Sequence, residues 1–214
     1  MNDITIRRTK KKDYPKTEAL VREAFWNVYQ PGADEHYILH LMRQWSSFLP
    51  ELDFVAVDGD RIVGNVACNH SYIEGDDGRF YNTVGLGPLS VLPEYQRRGI
   101  GRRLLDQVQS AASTMNFVAI VLFGDPDYYL SKGYRAAQDY NVRTEENYYA
   151  AALMINALGT VPRGKYLENA SQNYNEREFR LLDSRFPVKE KIKGTPSQLR
   201  YMQVKVMINI YKGS

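Results

Sequence analysis

Apolar and polar residues alternate over Ile4–Arg8, the two-residue period of a strand with one buried face. From Asp13-Tyr14-Pro15 the period lengthens. Leu20, Val21, Ala24, Phe25 and Val28 form a stripe at helical spacing, which Pro31-Gly32 must end. A second helix is predicted from about Asp34 to Leu49, with Tyr37, Ile38, Leu41, Met42 and Trp45 facing inward. Phe54–Val57 and Ile62–Ala67 are β-rich runs joined by Asp58-Gly59-Asp60-Arg61, a hairpin whose glycine supplies the positive φ such turns need. Another turn, Glu74-Gly75-Asp76-Asp77-Gly78, leads to a strand over about Phe80–Val91. Then come Leu92-Pro93-Glu94-Tyr95-Gln96-Arg97-Arg98-Gly99-Ile100-Gly101 and an amphipathic helix with Ile100, Leu104, Leu105, Val108 and Ala112 inward. Phe117–Phe123 is nearly all apolar, as in a strand buried on both faces. Asp125-Pro126 opens a short helix through Tyr129, and Gly133-Tyr134 leads back to a strand. Strand, glycine-rich turn, helix, strand implies two neighbouring strands joined by a right-handed crossover.

Beyond Val142 the pattern weakens. Thr144 as N-cap, Glu145 and Glu146 in a first turn and Gly159 past the end predict a helix over 145–158. Asn175-Glu176-Arg177-Glu178 has capping-box spacing before a short helix that ends by Pro187. Thr195-Pro196 could cap one more turn, and Val204, Val206, Ile208 and Ile210 alternate as in a last strand. The expected organisation is a core over 1–143 and, over 144–214, a mainly helical appendage packed on it, too poor in apolar residues for a core of its own.

Composition narrows the function. The 214 residues carry a formal net charge of +3, too small a surplus to indicate nucleic acid. Lys10-Lys11-Lys12 and the charges of Lys189–Lys193 read as solvated surface. The single cysteine, Cys68, excludes a disulfide framework and a multi-thiolate metal cluster, and reads as a packing residue. No apolar run approaches the roughly 18 residues of a membrane span, and Met1–Asp13 lacks a secretory h-region. A cytoplasmic protein without membrane or nucleic-acid partners is expected. His36 and His40 have metal-like i, i+4 spacing, but the glutamate of H-E-x-x-H and a third ligand are missing, so no metal is expected.

The informative chemistry lies in Gln96-x-x-Gly99-x-Gly101. The first four N–H groups of a helix have no partner within it, and the helix dipole adds positive potential there, so a pyrophosphate can bind. Gly99 and Gly101 let its oxygens approach the backbone, and Arg97, Arg98, Arg102 and Arg103 surround the turn. The Walker pattern fails because no Gly-Lys-Ser/Thr follows, and the dinucleotide pattern fails because Leu104 replaces its third glycine.

Leu89-Ser90-Val91-Leu92-Pro93 followed by Gln96-Arg97-Arg98-Gly99-Ile100-Gly101 resembles the acetyl-CoA signature of the GNAT N-acetyltransferases, Q/R-x-x-G-x-G/A after a strand ending in V-x-P. Tyr129-Leu130-Ser131-Lys132-Gly133-Tyr134 is similar to their second landmark, Y-x-x-x-G-F/Y. Gly87-Pro88-Leu89 and Gly124-Asp125-Pro126-Asp127-Tyr128-Tyr129 further resemble a YhbS-like bacterial subgroup, although many family members carry an asparagine where Gly124-Asp125-Pro126 stands. The resemblance covers about residues 3–142. It implies an α/β (α+β) fold: a mixed, mostly antiparallel sheet, flanked by helices and splayed between the strand ending at Val91 and the strand Phe117–Phe123. The pantetheine arm would lie in that gap against backbone of Leu89 and Val91. The pyrophosphate would sit on amides from Arg97 through Arg98, Gly99, Ile100 and Gly101 to Arg102, with Gln96 opening the motif.

The activity implied is transfer of an acetyl group from acetyl-CoA directly to a primary amine of a small molecule or peptide, with a homodimer open as an assembly. Family geometry puts Tyr129 near the sulfur as general acid, with Tyr128 as the alternative, and an N–H at Leu89 or Ser90 on the acetyl carbonyl. The base is unassigned. Asp125 reads as a helix cap, Glu51 and Asp53 as residues of the acceptor pocket or of a solvated loop, and water can relay the proton. A non-catalytic acyl-CoA-binding module and a longer acyl donor are the competing readings.

Overall fold

A computed structural model describes residues 4–169 and 174–192. The elements, in chain order, are β1 (Thr5–Arg8), α1 (Tyr14–Phe25), α2 (Glu35–Met42), β2 (Phe54–Asp58), β3 (Arg61–Gly75), β4 (Phe80–Val91), α3 (Ile100–Ala112), β5 (Ala119–Phe123), α4 (Pro126–Tyr129), β6 (Arg135–Ala136), β7 (Val142–Arg143), β8 (Leu153–Ala157), β9 (Gly164–Leu167) and α5 (Glu176–Asp183). They build one mixed, mostly antiparallel sheet in the order β1-β2-β3-β4-β5-β8-β6, with β9 on β3 and β7 on β9. Helices flank it, as the resemblance implies.

The long strand β3 organises the sheet. One edge pairs with β4. The other takes β2 along its first part and β9 along Tyr72 to Gly75. Between them, Leu49 N–H donates to the Cys68 carbonyl (3.0 Å) and His70 N–H to the Ser47 carbonyl (2.7 Å). Those bonds explain why α2 stops at Met42 and not at Leu49: the chain must straighten to complete the β3 edge. The first helix also ends early, at Phe25, where Asn27 takes a positive φ (59°) and closes a loop with Gly32.

Both faces of the central strands are buried. Ile120, Leu122 and Met154 join the larger core with Leu104 and Val108 of α3, while Ala119, Val121, Leu153 and Ile155 join a second core with Ile73 and Tyr166. Only the last residue of β5, Phe123, reaches solvent substantially.

The helix expected over 145–158 is absent. Asn147 turns the chain with a positive φ (69°), and β8 inserts between β5 and β6. The alanine-rich run has helical propensity, but Leu153, Met154 and Ile155 fill both faces of the sheet, and that burial overrides it. The expected boundary after residue 143 therefore falls within the sheet, since β8 and β9 both belong to it. The predicted helix after Asn175 is present, and the Asn175 side chain accepts from Arg177 and Glu178 N–H. The predicted turn at Thr195-Pro196 and the strand over Val204 to Ile210 lie outside the described residues. No described helix is long and apolar enough to cross a membrane.

Candidate active site

The parallel strands β4 and β5 pair only briefly, from Thr83 opposite Ala119 to Gly85 opposite Val121. Beyond Gly85, β4 runs through the cis Gly87-Pro88 peptide and stays on β3 to Val91. From Leu122 onward β5 stays on β8. The sheet thus opens at the C-terminal ends of two parallel strands, and along 86–91 the β5-side edge of β4 has no strand partner among the described residues. Leu89 and Val91 stand on that stretch, packed in part against the core, and the Ser90 hydroxyl turns to the Asn65 carbonyl at 3.4 Å.

The glycine turn sits at one end of the gap. Arg97 (φ 59°) and Gly99 (φ 77°) are left-handed, and Gly99 caps α3 without any side-chain hydrogen bond. Left-handed residues beside right-handed ones gather N–H groups into an anion-binding concavity, here continued by the free amides of the helix start. A Cβ on Gly101 would stand 2.5 Å from the Tyr128 hydroxyl and 3.9 Å from Val91 Cγ2, so a side chain here would displace the Tyr128 ring from the start of α3.

The surrounding side chains divide their work. Gln96 Nε2 donates to the Val91 carbonyl (3.1 Å), tying the turn to the end of β4. Arg98 lies over the Tyr95 ring at 5.1 Å. Arg102 pairs with Asp106 (3.0 Å) and donates to the Ser131 carbonyl (3.2 Å), linking α3 to the segment after α4. Arg103 donates to the Ile4 carbonyl (2.6 Å), which directs it away from the turn. Arg97 is exposed and has no hydrogen bond or ion pair among the described residues.

Tyr128 and Tyr129 close the gap from the β5 side. Asp125 caps α4, accepting from Asp127 N–H at 3.0 Å, with Pro126 at the first helical position. Lys132 Nζ lies 3.5 Å above the Tyr128 ring and donates to the Tyr128 carbonyl at 2.6 Å, holding that ring over the α3 start. Tyr129 packs against Gly124, between Tyr128 (4.9 Å) and Tyr134 (5.3 Å). Burial pushes its hydroxyl well above the usual phenol range, reinforced by Tyr128, Tyr29 and Asp125. It therefore stays protonated across the physiological range.

A cavity of about 430 Å³ opens beside the splay. Ile38, Leu41 and Trp45 wall it from the α2 side, Leu86 and Leu122 from the two diverging strands. Its floor is polar: a Cβ on Gly85 would meet Asn69 Oδ1 at 2.7 Å, the Tyr166 hydroxyl at 3.0 Å and Ser71 Oγ at 3.3 Å. Glu168, just past β9, also lines it and remains solvent-accessible. Lost hydration raises its carboxyl above the ordinary glutamate value, and Glu145 pushes the same way. No local pattern links Asn69, Tyr166 and Glu168, so the sequence alone marks none of them as a site residue. Tertiary pairing of β9 with β3 brings the last two to the cavity.

Other candidates have structural work. Asp53 is buried and holds Asn65 (3.0 Å) and Arg43 (3.1 Å), so it does not line the cavity. Glu51 lies exposed in the single turn before β2. Cys68 is fully buried, as a packing residue. His36 meets Asp183 (3.2 Å) and His40 meets Glu18 (2.9 Å), so the two rings do not converge, and no metal-holding group occurs among the described residues.

A family profile described as an acetyltransferase (GNAT) domain matches residues 5–137, well over half of the chain. The chain belongs to the GNAT acetyltransferases. Among solved structures, a GNAT family N-acetyltransferase (YhbS) from Escherichia coli in complex with CoA superposes with a TM-score of 0.70 at 22% identity, covering 82% of this chain and 95% of that one. A GNAT acetyltransferase from Brucella melitensis in complex with acetyl-CoA gives a TM-score of 0.64 at 24% identity, covering 79% and 98%. At these identities the likeness establishes the fold. N-alpha-acetyltransferase 30 of Schizosaccharomyces pombe is 31% identical over 77 residues, 36% of this chain, and the chain spans about half of that relative's length. The profile ends before β8, β9 and α5, so Glu168 lies outside the part this GNAT chain shares with the profile.

Proposed function

We propose that this chain transfers the acetyl group of acetyl-CoA directly to a primary amine. One observation carries the reading: the β4–β5 gap joins an anion-binding helix start, uncapped by any side chain, to a cavity of small-molecule size. The residues fit the cosubstrate. Amides from Arg97 to Arg102 would hold the pyrophosphate, and the unpaired edge of β4 at Leu89 and Val91 would hold the pantetheine arm. The bound CoA and acetyl-CoA of the two structural neighbours support this assignment. A cytoplasmic location accompanies the reading, in keeping with a lone, buried cysteine.

Acetyl-CoA supplies a thioester whose carbonyl carbon takes the amine nitrogen as the carbon–sulfur bond breaks. This chain's part is to hold both reactants together, which removes much of the entropic barrier. An N–H of Leu89 or Ser90 polarises the carbonyl oxygen. Tyr129 is the general acid, giving its Oη proton to the departing sulfur. A phenol near 10 facing a thiolate near 8.5 is unfavourable in water. The transfer therefore depends on the site holding the Tyr129 hydroxyl at the sulfur. Tyr128, whose hydroxyl lies beside Gly101, serves the phosphate end and not the sulfur.

The test is a thermal-shift titration with acetyl-CoA. At a hundred times the dissociation constant, binding stabilises the chain by about 2.7 kcal/mol, or roughly 5–11 °C for this size. A saturable shift with thiol release on adding amines supports the reading. No shift with any acyl-CoA overturns it.

A further inference from the structure

Glu168 is a carboxylate without a counter-ion among the described residues. It makes no hydrogen bond or ion pair among the described residues. The cavity it lines contains no lysine, arginine or histidine among its described residues. The other titratable groups there are the phenols of Tyr166 and Tyr174, and the charge acting on Glu168 from outside is Glu145, of like sign. A solvent-accessible carboxylate on the cavity wall, with a like charge behind it and no counter-ion in front among the described residues, can receive a cation.

The rest of the cavity selects what that cation carries. Trp45, Ile38, Leu41, Leu86 and Leu122 form apolar walls, and among the described residues no second acid lines it that could receive a second ammonium. Its boundary comes from the α2 side, β3, β4, β5 and the end of β9, with Tyr174 at the rim. Such a concave pocket suits a compact ligand. An extended peptide would have to compete with the pantetheine arm for the open edge of β4.

The geometry points to an acceptor that is a small primary amine with a single positive charge and an apolar, aryl or alkyl body, its ammonium received by Glu168. This rests on the acetyl-CoA reading above. Glu168 takes one proton from the ammonium nitrogen, and the freed lone pair forms the carbon–nitrogen bond as the carbon–sulfur bond breaks. The thiolate leaves with the proton from Tyr129, the nitrogen sheds its second proton as the amide forms and that proton restores Tyr129 through water, and Glu168 returns its own to solvent.

The experiment pairs two readouts on the purified chain: the thermal shift with acetyl-CoA, and thiol release with 2-phenylethylamine, hexylamine, putrescine and a tetrapeptide with N-terminal Met. The expected result is a kcat/KM for 2-phenylethylamine and hexylamine at least about tenfold above that for putrescine and the peptide, the worth of about 1.4 kcal/mol of apolar contact. Glu168→Gln should lower the favoured rate about tenfold or more and remove the acidic limb of the kcat/KM–pH profile, with the acetyl-CoA shift unchanged. Glu168→Asp should restore that limb in part. Trp45→Ala should raise KM for 2-phenylethylamine more than for hexylamine. Preference for putrescine or for the peptide, or a Glu168→Gln profile identical to wild type, overturns this inference while an intact acetyl-CoA shift leaves the acetyl-CoA reading standing. Loss of the shift in the unmodified chain overturns both.

Discussion

At one end of the β4–β5 gap, seven consecutive residues, 96–102, present backbone amides and guanidinium groups at a helix start. At the other end, side chains from α2, β3, β4, β5 and the end of β9 line a mainly apolar cavity with one carboxylate among its described residues. The first end is built from backbone and depends on the left-handed φ angles of Arg97 and Gly99 and on the small residue at 101 that leaves Tyr128 in place. The second is built from side chains that meet only when the sheet is complete. Backbone recognition of a pyrophosphate tolerates change in most surrounding residues. Side-chain recognition changes with each substitution. The same fold can therefore keep one cosubstrate and vary the acceptor.

That contrast can be broken at four points. The largest effect is expected from Gly101→Glu, which puts a side chain where the Tyr128 hydroxyl stands and a negative charge at the proposed pyrophosphate site. The acetyl-CoA thermal shift should vanish and turnover fall below detection, with far-UV circular dichroism unchanged. Next, Tyr129→Phe should lower kcat by about 10²–10⁴, the usual range for a positioned acid, with acetyl-CoA affinity unchanged by calorimetry. Retained turnover would move the acid role elsewhere. The same variant separates an enzyme from a non-catalytic acyl-CoA-binding module, which would have no turnover to lose.

The third point lies behind the acceptor end. α5 is strapped to α1 and α2 by Arg22, which pairs with Asp183 at 2.6 Å and donates to the Pro187 carbonyl at 3.3 Å. Tyr37 of α2 accepts from Asn175 N–H and donates to Glu178, both at 3.3 Å. Since α2 walls the cavity, Arg22→Ala should both destabilise the chain and raise the acceptor KM. The stability loss should be about 2–3 kcal/mol in a denaturant melt, below the value for a dry pair because the Asp183 side chain keeps a quarter of its surface exposed. Acetyl-CoA affinity should be unaffected.

The smallest effect is a pH slope. Burial lowers the pKa of His36 to about 4, with Asp183 opposing and Arg22 and His40 assisting. Because the folded value lies below the unfolded one, the unfolded chain binds the extra proton first, and stability falls as pH drops from about 6.5 towards 4. Burial raises Glu35 to about 7, so its contribution runs the other way, declining as pH rises from about 4.5 to 7. Unfolding free energies of wild type and His36→Phe, measured at pH 7 and pH 5, isolate the histidine: the wild type should lose more on acidification.

The same contrast explains what the chain's pattern revealed. The turn at Gly99 and Gly101, the helix from Ile100, the buried strand before Gly124 and the Asp125 cap are local, and each is legible from a few neighbouring residues. The helix expected over 145–158 was not legible as the strand β8, because its strand character comes from β5 and β6 on either side and not from its own alanines. Asp53 precedes a strand as a pocket residue might, yet Arg43, Asn65 and Thr9 hold it elsewhere. Glu168 carries no motif at all. Its surroundings depend on β9 joining β3, a pairing about ninety residues apart in sequence.

The most direct test of two separable ends is one acetyl-CoA titration by calorimetry on three proteins: wild type, Gly101→Glu and Glu168→Gln. The account predicts equal affinity in wild type and Glu168→Gln, and no binding in Gly101→Glu. Undiminished binding by Gly101→Glu would contradict it, because the glycine turn could then not be where the pyrophosphate rests.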